Sequence, residues 1–163
     1  MRKTIISVFL LFVSFTVSYS QQKIYCSFDA SLPTFALSGD KISQQLNISL
    51  GYSPIEQLAV FYNFGSGLLG EKKTLTHLHQ LFENGIGIDW DVFSIGEYTL
   101  GLNASGGYAV DFNSEENTNN HAVFRSGIKL TMPSNIFLVA GINNRFYQRN
   151  TTELLISIGY RIN

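Results

Sequence analysis

The 163-residue chain has little of what commonly braces a small protein. Cys26 is its only cysteine, so no intramolecular disulfide can form. Proline occurs three times, and charged residues make up only 14% of the chain against 45% hydrophobic residues. The near balance of 11 basic and 12 acidic residues excludes the strongly basic surface that nucleic-acid binding requires. The fold must therefore be held by secondary structure and packing.

Apolar runs long enough to form a membrane-spanning helix are also missing. The longest run, Ile5–Val17, has roughly 13 residues, whereas a spanning helix needs ~20. Arg2 and Lys3 precede this run and small residues follow it, which is typical of a cleavable signal peptide. We therefore expect residues 1–20 to be removed on export, leaving residues 21–163 as a single domain. The exported part has 9 basic and 12 acidic residues once Arg2 and Lys3 are subtracted, a mild net charge of −3.

An alternation of apolar with small or polar residues is the dominant pattern of the remaining chain. It is clearest between Tyr98 and Val110, and it recurs in the closing segment from Leu154 to Asn163. A period of two predicts β-strands, and helical periodicity is weak throughout, so we expect almost no helix. The alternation predicts eight strands: Lys23–Ser31, Ile42–Tyr52, Gln57–Gly65, Leu78–Asp91, Tyr98–Val110, His121–Met132, Asn135–Tyr147 and Glu153–Ile162.

The connections between these segments alternate in length. Short connections are predicted at Ser53–Glu56, Val92–Gly96 and Pro133–Ser134, and long ones at Leu32–Lys41, Ser66–His77 and Phe112–Asn120, with a last one near Arg149–Thr152. Short turns on one rim and longer loops on the other are typical of an all-β, antiparallel up-and-down barrel. Both ends of the chain would then lie on the short-turn rim.

The composition of the two faces bears on whether the apolar face meets lipid or a protein core. The other face is rich in Gly, Ser and Asn, which suit a narrow lumen better than a surface exposed to water. Tyr98 and Tyr108 lie about 33 Å apart along one strand, which a tilt of ~40° projects to ~25 Å, the height of a membrane band. Two interfacial girdles of aromatic residues are predicted on the apolar face: Tyr52, Trp90, Tyr98 and Tyr160 near the short turns, and Phe64, Phe82, Tyr108, Phe124 and Phe146 near the long loops.

Charged residues collect on the inward-facing positions. Because an eight-stranded barrel is only wide enough for side chains to fill it, mixed charges there should pair as a plug. An ion or proton pathway is the functional alternative. The predicted polar network of the lumen consists of Lys23, Asp29, Asp89, Asp111, Arg125, Lys129, Arg145 and Arg161.

Taken together, the signal peptide, the eight alternating strands and the closing segment Ile158-Gly159-Tyr160-Arg161-Ile162 resemble the small eight-stranded bacterial outer-membrane β-barrel proteins. The resemblance implies a porin-like transmembrane β-barrel in the outer membrane of a Gram-negative bacterium. It also implies outer-membrane lipids as the surroundings and the barrel-assembly machinery as a partner during biogenesis. In that family the last strand commonly ends on an aromatic residue, whereas this chain has Ile162 and Asn163.

Some small outer-membrane barrels are lipid-modifying enzymes, so the three histidines are candidates for catalysis. His77, His79 and His121 fall in or beside the predicted long loops, with Glu83 on the same strand as His79. The sequence contains no Gly-x-Ser-x-Gly elbow and no His-x-Ser pair, and a His-x-His pair without a third fixed ligand is a weak metal signal. We therefore expect solvated loop histidines, with no catalytic residue, metal site or cofactor.

The sequence favours a structural, adhesive or partner-binding role carried by the longer, extracellular loops. Ser66–His77 is the first candidate for a contact surface because it is glycine- and leucine-rich, whereas Phe112–Asn120 is polar. Two alternatives stay open, an outer-membrane lipid-modifying enzyme and a soluble lipocalin-like binding barrel. A soluble barrel would show the same alternation with its apolar face turned inward.

Overall fold

The computed structural model describes residues 23–31, 36–38, 41–71, 74–112, 118–146 and 150–162. The predicted signal peptide lies outside these residues. The described residues form nine strands: β1 (Lys23–Ser31), β2 (Ala36–Ser38), β3 (Lys41–Ile55), β4 (Leu58–Glu71), β5 (Thr74–Ile95), β6 (Tyr98–Phe112), β7 (Thr118–Thr131), β8 (Ile136–Phe146) and β9 (Thr151–Ile162). No helix in this part of the chain is long and apolar enough to cross a membrane.

The strands close into one antiparallel barrel. Neighbours follow in the order β1, β3, β4 and on to β9, and β9 returns to pair with β1 from Cys26 opposite Ile162 to Ser31 opposite Ser157. The short β2 pairs with β9 further along the same edge, with Ala36 opposite Glu153. Because β1 and β2 occupy one position in succession, the barrel has eight positions. The predicted all-β, eight-stranded barrel is confirmed.

The stagger of the barrel follows from the register of its strands. Stepping between directly opposed residues leads from Ile162 through Cys26, Leu50, Tyr62, Ile86, Gly106, Phe124 and Asn144 back to β9 at Thr152, ten residues from the start. Eight strands with a stagger of ten residues imply a tilt of about 41° and a Cα radius of about 8 Å. The lumen is therefore narrow enough for side chains from opposite walls to meet.

Several predicted connections are wrong because the strands are longer than the alternation indicated. Ser66–His77, expected to be a long loop, is mostly the hairpin of β4 and β5, in which Glu71 lies opposite Thr74. The predicted loop Leu32–Lys41 contains β2. Main-chain hydrogen bonds continue through glycine- and threonine-rich stretches where side-chain contrast fades, so a pattern-based boundary falls too early.

At the other rim, strands continue past register irregularities. A register shift between Tyr52 and Ile55 lets β3 run on to its turn at Glu56 and Gln57, and one between Asp91 and Phe93 does the same for β5. The predicted connections Ser53–Glu56 and Val92–Gly96 are therefore mostly strand. Such bulges keep the pairing while adding a residue to one strand.

Aromatic side chains facing the lumen fit against glycines on neighbouring strands. Phe137 lies directly opposite Gly159, and a Cβ atom added to Gly159 would lie 2.7 Å from the Cε2 atom of the ring. Phe61 lies between Gly51 on β3 and Gly87 on β5. Real Cβ atoms do not approach other atoms so closely, so these glycines make room for the rings inside the barrel.

Candidate functional site: the barrel lumen

A cluster of four charged side chains fills the lumen toward the short-turn rim. Lys129 Nζ contacts Asp89 Oδ1 and lies 2.7 Å from Asp91 Oδ1. Arg161 reaches the same two carboxylates, with Nη2 3.0 Å from Asp89 Oδ2 and Nη1 3.1 Å from Asp91 Oδ2. Two cations thus share two anions, and the group is neutral overall.

Tyr25 holds this short-turn cluster from the side. Its hydroxyl donates to Asp89 Oδ2 over 2.9 Å, and its ring stacks on Phe61 with centroids 5.5 Å apart. The Arg161 guanidinium lies over the Tyr25 ring, with Cζ 5.5 Å from the ring centroid. Hydrogen bonds, stacking and a cation–π contact therefore supplement the Coulomb attraction of the ion pairs.

A second cluster lies toward the long-loop rim. Arg125 Nη2 is 2.9 Å from Glu83 Oε1, and Arg145 lies between two carboxylates, with Nη1 3.4 Å from Glu83 Oε2 and Nε 3.3 Å from Glu153 Oε1. Gln45 bridges within it, accepting from Arg125 and donating to Glu83 Oε2 over 3.2 Å. All of these side chains are buried. This long-loop cluster also pairs two cations with two anions.

Neutral polar groups complete the long-loop cluster around Glu153 and Arg145. Ser43 donates to Glu153 Oε2 over 2.7 Å and accepts from Arg145 Nη2 over 3.1 Å. Asn143 donates to the same glutamate oxygen over 3.2 Å. A buried ion pair offsets its desolvation only when such additional hydrogen bonds satisfy its remaining donors and acceptors. The arrangement is that of a packed polar core.

His121 belongs to this buried core, so the expectation of solvated loop histidines is wrong for this residue. It lies on β7, is 2% exposed, and its Nε2 atom is 3.2 Å from Arg145 Nη1. Because a guanidinium can only donate, Nε2 accepts in this contact. β7 begins earlier than the alternation indicated, which moves His121 from a rim position into the wall.

An apolar layer and a small polar cavity separate the two clusters. Phe137, Val139 and Leu155 pack together, and Tyr25, Ala59 and Phe61 form a second group. The cavity beside them measures about 30 Å³ and is lined mainly by Ser and Asn side chains together with Asp29, which accepts from Asn47 over 2.8 Å. A volume of this size holds about two water molecules. The described lumen is thus filled between the two clusters, whereas a wider recess of about 260 Å³, lined in part by Tyr25, Asp89, Asp91 and Arg161, lies at the short-turn rim.

The outer face of the barrel has the opposite character. Large apolar side chains on every barrel strand are exposed, among them Ile86 at 69% and Leu46 at 68%. The predicted girdle residues all belong to it: Trp90, Tyr98, Tyr160, Phe64, Phe82, Tyr108, Phe124 and Phe146 are exposed and Tyr52 is half-buried. Charged side chains lie inside the barrel and apolar side chains outside, which is the reverse of a water-soluble protein.

Solved structures share this architecture. The outer membrane protein Ail of Yersinia pestis, in a phospholipid bilayer nanodisc, superposes with a TM-score of 0.55 at 15% identity, covering 86% of this chain and 100% of Ail. Neisserial surface protein A gives a TM-score of 0.55 at 16% identity, covering 88% of this chain and all of that one. The N-terminal β-barrel domain of Pseudomonas aeruginosa OprF gives 0.55 at 14%, covering 87% of this chain and all of that domain.

The chain has the fold of a small outer-membrane β-barrel. At these identities the likeness concerns the fold alone. No protein-family model matches the sequence, and no curated protein matches it.

The structure brings most of the predicted lumen residues together. Asp89, Lys129 and Arg161 meet in the short-turn cluster, and Arg125 and Arg145 in the long-loop cluster. Asp29 and Asp111 also face inward, Asp29 at the central cavity and Asp111 fully buried on β6. The backbone of Lys23 pairs with Ser53 at the start of β1, and its side chain lies outside the described residues.

Three carboxylates of the clusters, Glu83, Asp91 and Glu153, were absent from the predicted network, as was Gln45, which bridges Arg125 and Glu83. The signal was present in the sequence, because Glu83 lies six positions before Asp89 and Asp91 two positions after it, and residues at even offsets in a strand share a face. The inward position of Glu153 follows from the same rule, because Glu153 lies two positions before the inward-facing Leu155. Gln45 carries no charge, and its part in the network becomes visible only when opposite walls are placed in contact.

No group of three or more His, Cys, Asp or Glu side chains in the described part of the chain is arranged to hold a metal ion.

The predicted contact surface at Ser66–His77 needs correction. Leu69 is fully buried and packs inside the barrel with Leu81, Ala109 and Val123, whereas Leu68 points outward. The side chains of this segment therefore alternate between inside and outside as in a strand, and they are not all exposed as in a loop.

Proposed function

We propose that this protein is an integral β-barrel of the bacterial outer membrane. The observation that carries the proposal is the inverted distribution of polarity, with two neutral ion-pair clusters inside and a continuous exposed apolar face outside. Exposing side chains such as Ile86 and Leu46 to water would cost roughly 25 cal/mol for each Å² of apolar surface. Contact with lipid acyl chains removes that cost.

We further propose that the protein acts as a structural, adhesive or partner-binding protein and not as an open channel. Ion pairs at two levels and the layer of Phe61, Phe137, Val139 and Leu155 between them support a closed lumen. Partner contacts would then lie at the long-loop end, where β4 and β5 form a long hairpin. The exposed Leu68 lies on the outer side of that hairpin.

The two alternatives receive less support from the geometry. A soluble lipocalin-like binder needs a ligand cavity inside the barrel, yet the central cavity measures about 30 Å³, and the larger recess of about 260 Å³ lies at the short-turn rim against the charged side chains of Asp89, Asp91 and Arg161. An acyl-transfer or hydrolytic enzyme needs an accessible base, and His121 is buried against Arg145. The proposal therefore includes no catalytic role.

Membrane fractionation and gel mobility test the proposal together. The full-length protein, expressed with its N-terminal segment in a Gram-negative host, should sediment with the outer membrane. Unheated samples should migrate differently from boiled ones, because a closed barrel resists unfolding in detergent until heated. Recovery in the soluble periplasmic fraction without a heat-dependent shift would rule out the membrane assignment.

Planar bilayer recordings test the closed lumen separately. The purified protein should give no sustained conductance. Removing a side chain from the apolar layer, as in Phe61→Ala, should produce brief openings at most, because both ion-pair clusters stay in place. A steady conductance in the unaltered protein would contradict the closed-lumen proposal while leaving the membrane assignment intact.

A further inference from the structure

The hairpin of β5 and β6 extends past the β3–β4 turn at the short-turn rim. The last contact of β5 with the β3–β4 turn is the hydrogen bond from the Asp91 amide to the Gln57 carbonyl, 2.7 Å long. On the other side, the last pair between β6 and β7 is Thr99 with Thr131. Residues 92–97 therefore extend beyond the β3–β4 turn, Tyr98 lies past the last pair with β7, and every residue from 92 to 98 is exposed.

The projecting hairpin has two chemically different faces. Phe93 lies opposite Leu100 and Ile95 opposite Tyr98, which places these four side chains on the outward face. The other face carries Ser94 and Thr99, whose hydroxyl oxygens lie 3.1 Å apart in a hydrogen bond. We call Phe93, Ile95 and Tyr98 the apolar lip.

The lip continues the outer apolar face of the barrel without interruption. Trp90 lies opposite Leu102, and the next outward pairs toward the rim are those of the lip. The bulge between Asp91 and Phe93 preserves this continuity. Val92 is the extra residue, and Phe93 therefore pairs with Leu100 and points outward after the inward-facing Asp91. Four ladder positions separate Leu102 from Tyr98, about 10 Å along the barrel axis at the tilt given above.

Exposure in the lip is high for residues of this type. Phe93 is 49% exposed, Ile95 69% and Tyr98 52%, and no charged side chain interrupts the outward face. Glu97 stands at the tip beside Gly96, whose positive φ of 60° makes the turn. A charged tip below a purely apolar outward face fits an element that lies at the border between hydrocarbon and water.

We propose that the apolar lip lies in the membrane interface at the short-turn end, with its outward face against lipid and its Ser94 and Thr99 face toward water. This inference rests on the proposed membrane function and adds a specific lipid-contact surface. Its basis is continuity with the apolar outer face. A second copy or a partner protein as the occupant would be a different outcome of the test below.

Trp90 is the only tryptophan, which allows a fluorescence test in lipid vesicles. In a Trp90→Phe background, a single tryptophan is introduced by Ile95→Trp on the lip or by Ser94→Trp on the opposite face at the same height. Ile88→Trp on the outer face of the same strand serves as the internal control for the membrane function. Each refolded variant is quenched by dibrominated phosphatidylcholine from the lipid side and by iodide from the aqueous side.

The Ile95→Trp variant should be quenched by brominated lipid, with an iodide quenching constant roughly threefold lower than that of Ser94→Trp. Equal iodide quenching of the two variants would overturn the proposal by placing the lip in water. Protection of Ile95→Trp from both quenchers would also overturn it, and dependence of that protection on protein dilution would identify a second copy. If Ile88→Trp escapes brominated lipid as well, the membrane function itself fails.

A cysteine version covers the case in which Ile95→Trp does not fold. Ile95→Cys and Ser94→Cys in a Cys26→Ser background, labelled with an environment-sensitive fluorophore, should differ in emission wavelength, with the lip position shifted to the blue. Indistinguishable emission from the two positions would overturn the proposal. Heat-dependent gel mobility confirms that each variant has folded.

Discussion

Phe61 lies directly opposite Gly87 in the ladder between β4 and β5, and a Cβ atom added to Gly87 would lie 2.5 Å from the ring Cζ atom. The same atom would lie 2.6 Å from the carbonyl oxygen of Ala104 on the next strand. The ring therefore occupies the space that a side chain on Gly87 would need. A bulky side chain faces a glycine here because the narrow barrel leaves room for only one side chain at this place.

Gly87→Ala should therefore destabilise the barrel by about 1–3 kcal/mol, because the methyl group overpacks the lumen. Gly106→Ala is the matched control, since its nearest atoms would lie 3.8 Å away. It should change the free energy of unfolding by less than about 0.5 kcal/mol. Urea titration of both variants in lipid vesicles measures the difference, and equal destabilisation would contradict the packing account.

Lys129→Met should be among the most damaging single substitutions. It leaves Asp89 and Asp91 without one of their two cations, and breaking a buried pair costs about 3–5 kcal/mol. Asp91→Asn added to Lys129→Met should restore part of the loss, because one uncompensated charge is removed. Glu97→Gln, an exposed charge at a turn, should have little effect in the same urea titration. Additive effects of Lys129→Met and Asp91→Asn would show that the two side chains are not coupled.

Ile86→Arg tests lipid contact near the middle of the outer face. Ile86 is 69% exposed and lies between Tyr62 and Gly106. An arginine at the bilayer midplane of a barrel costs about 2–4 kcal/mol, falling to about 0–1 near the interfaces. Ile95→Arg at the rim should therefore be much milder. Similar costs at the two positions, measured by unfolding in vesicles, would show that Ile86 does not meet hydrocarbon.

Cys26 offers a chemical test of the same face because it is the only cysteine. It lies half-buried on β1 between the exposed residues Ile24 and Phe28. In vesicles it should resist a charged, membrane-impermeant maleimide and react after unfolding in detergent with heat. Glu97→Cys in a Cys26→Ser background should react at once. Equally fast labelling of both folded proteins would place Cys26 in water.

Much of the fold was predictable from local pattern. Alternation in segments such as Tyr98–Val110 indicates strands and the side to which each residue points, because the pleat imposes a period of two. The inward position of Lys129 or Arg145 follows from that rule alone. Strand lengths were less predictable, since Gly67 and Gly70 continue the ladder without the side-chain contrast that marks a strand.

The partners within the lumen could not be predicted from the sequence. Arg161 meets Asp89 because of the stagger of the barrel, and Ser43 meets Glu153 from a strand far away in the chain. Register between distant strands depends on all intervening hairpins together. Local pattern therefore indicates which residues face inward and leaves open which of them touch.

The seam where β9 meets β1 determines how the chain must fold. Hairpins such as that of β5 and β6 bring together residues that are close in sequence, so they can form early and independently. Cys26 and Ile162, in contrast, lie near opposite ends of the described chain and pair only when the curved sheet closes on itself. Closing so long a loop carries a large entropic penalty before its contacts form. We expect a single slow, all-or-none closure event to limit the rate of folding, with the seam as the last part of the wall to form.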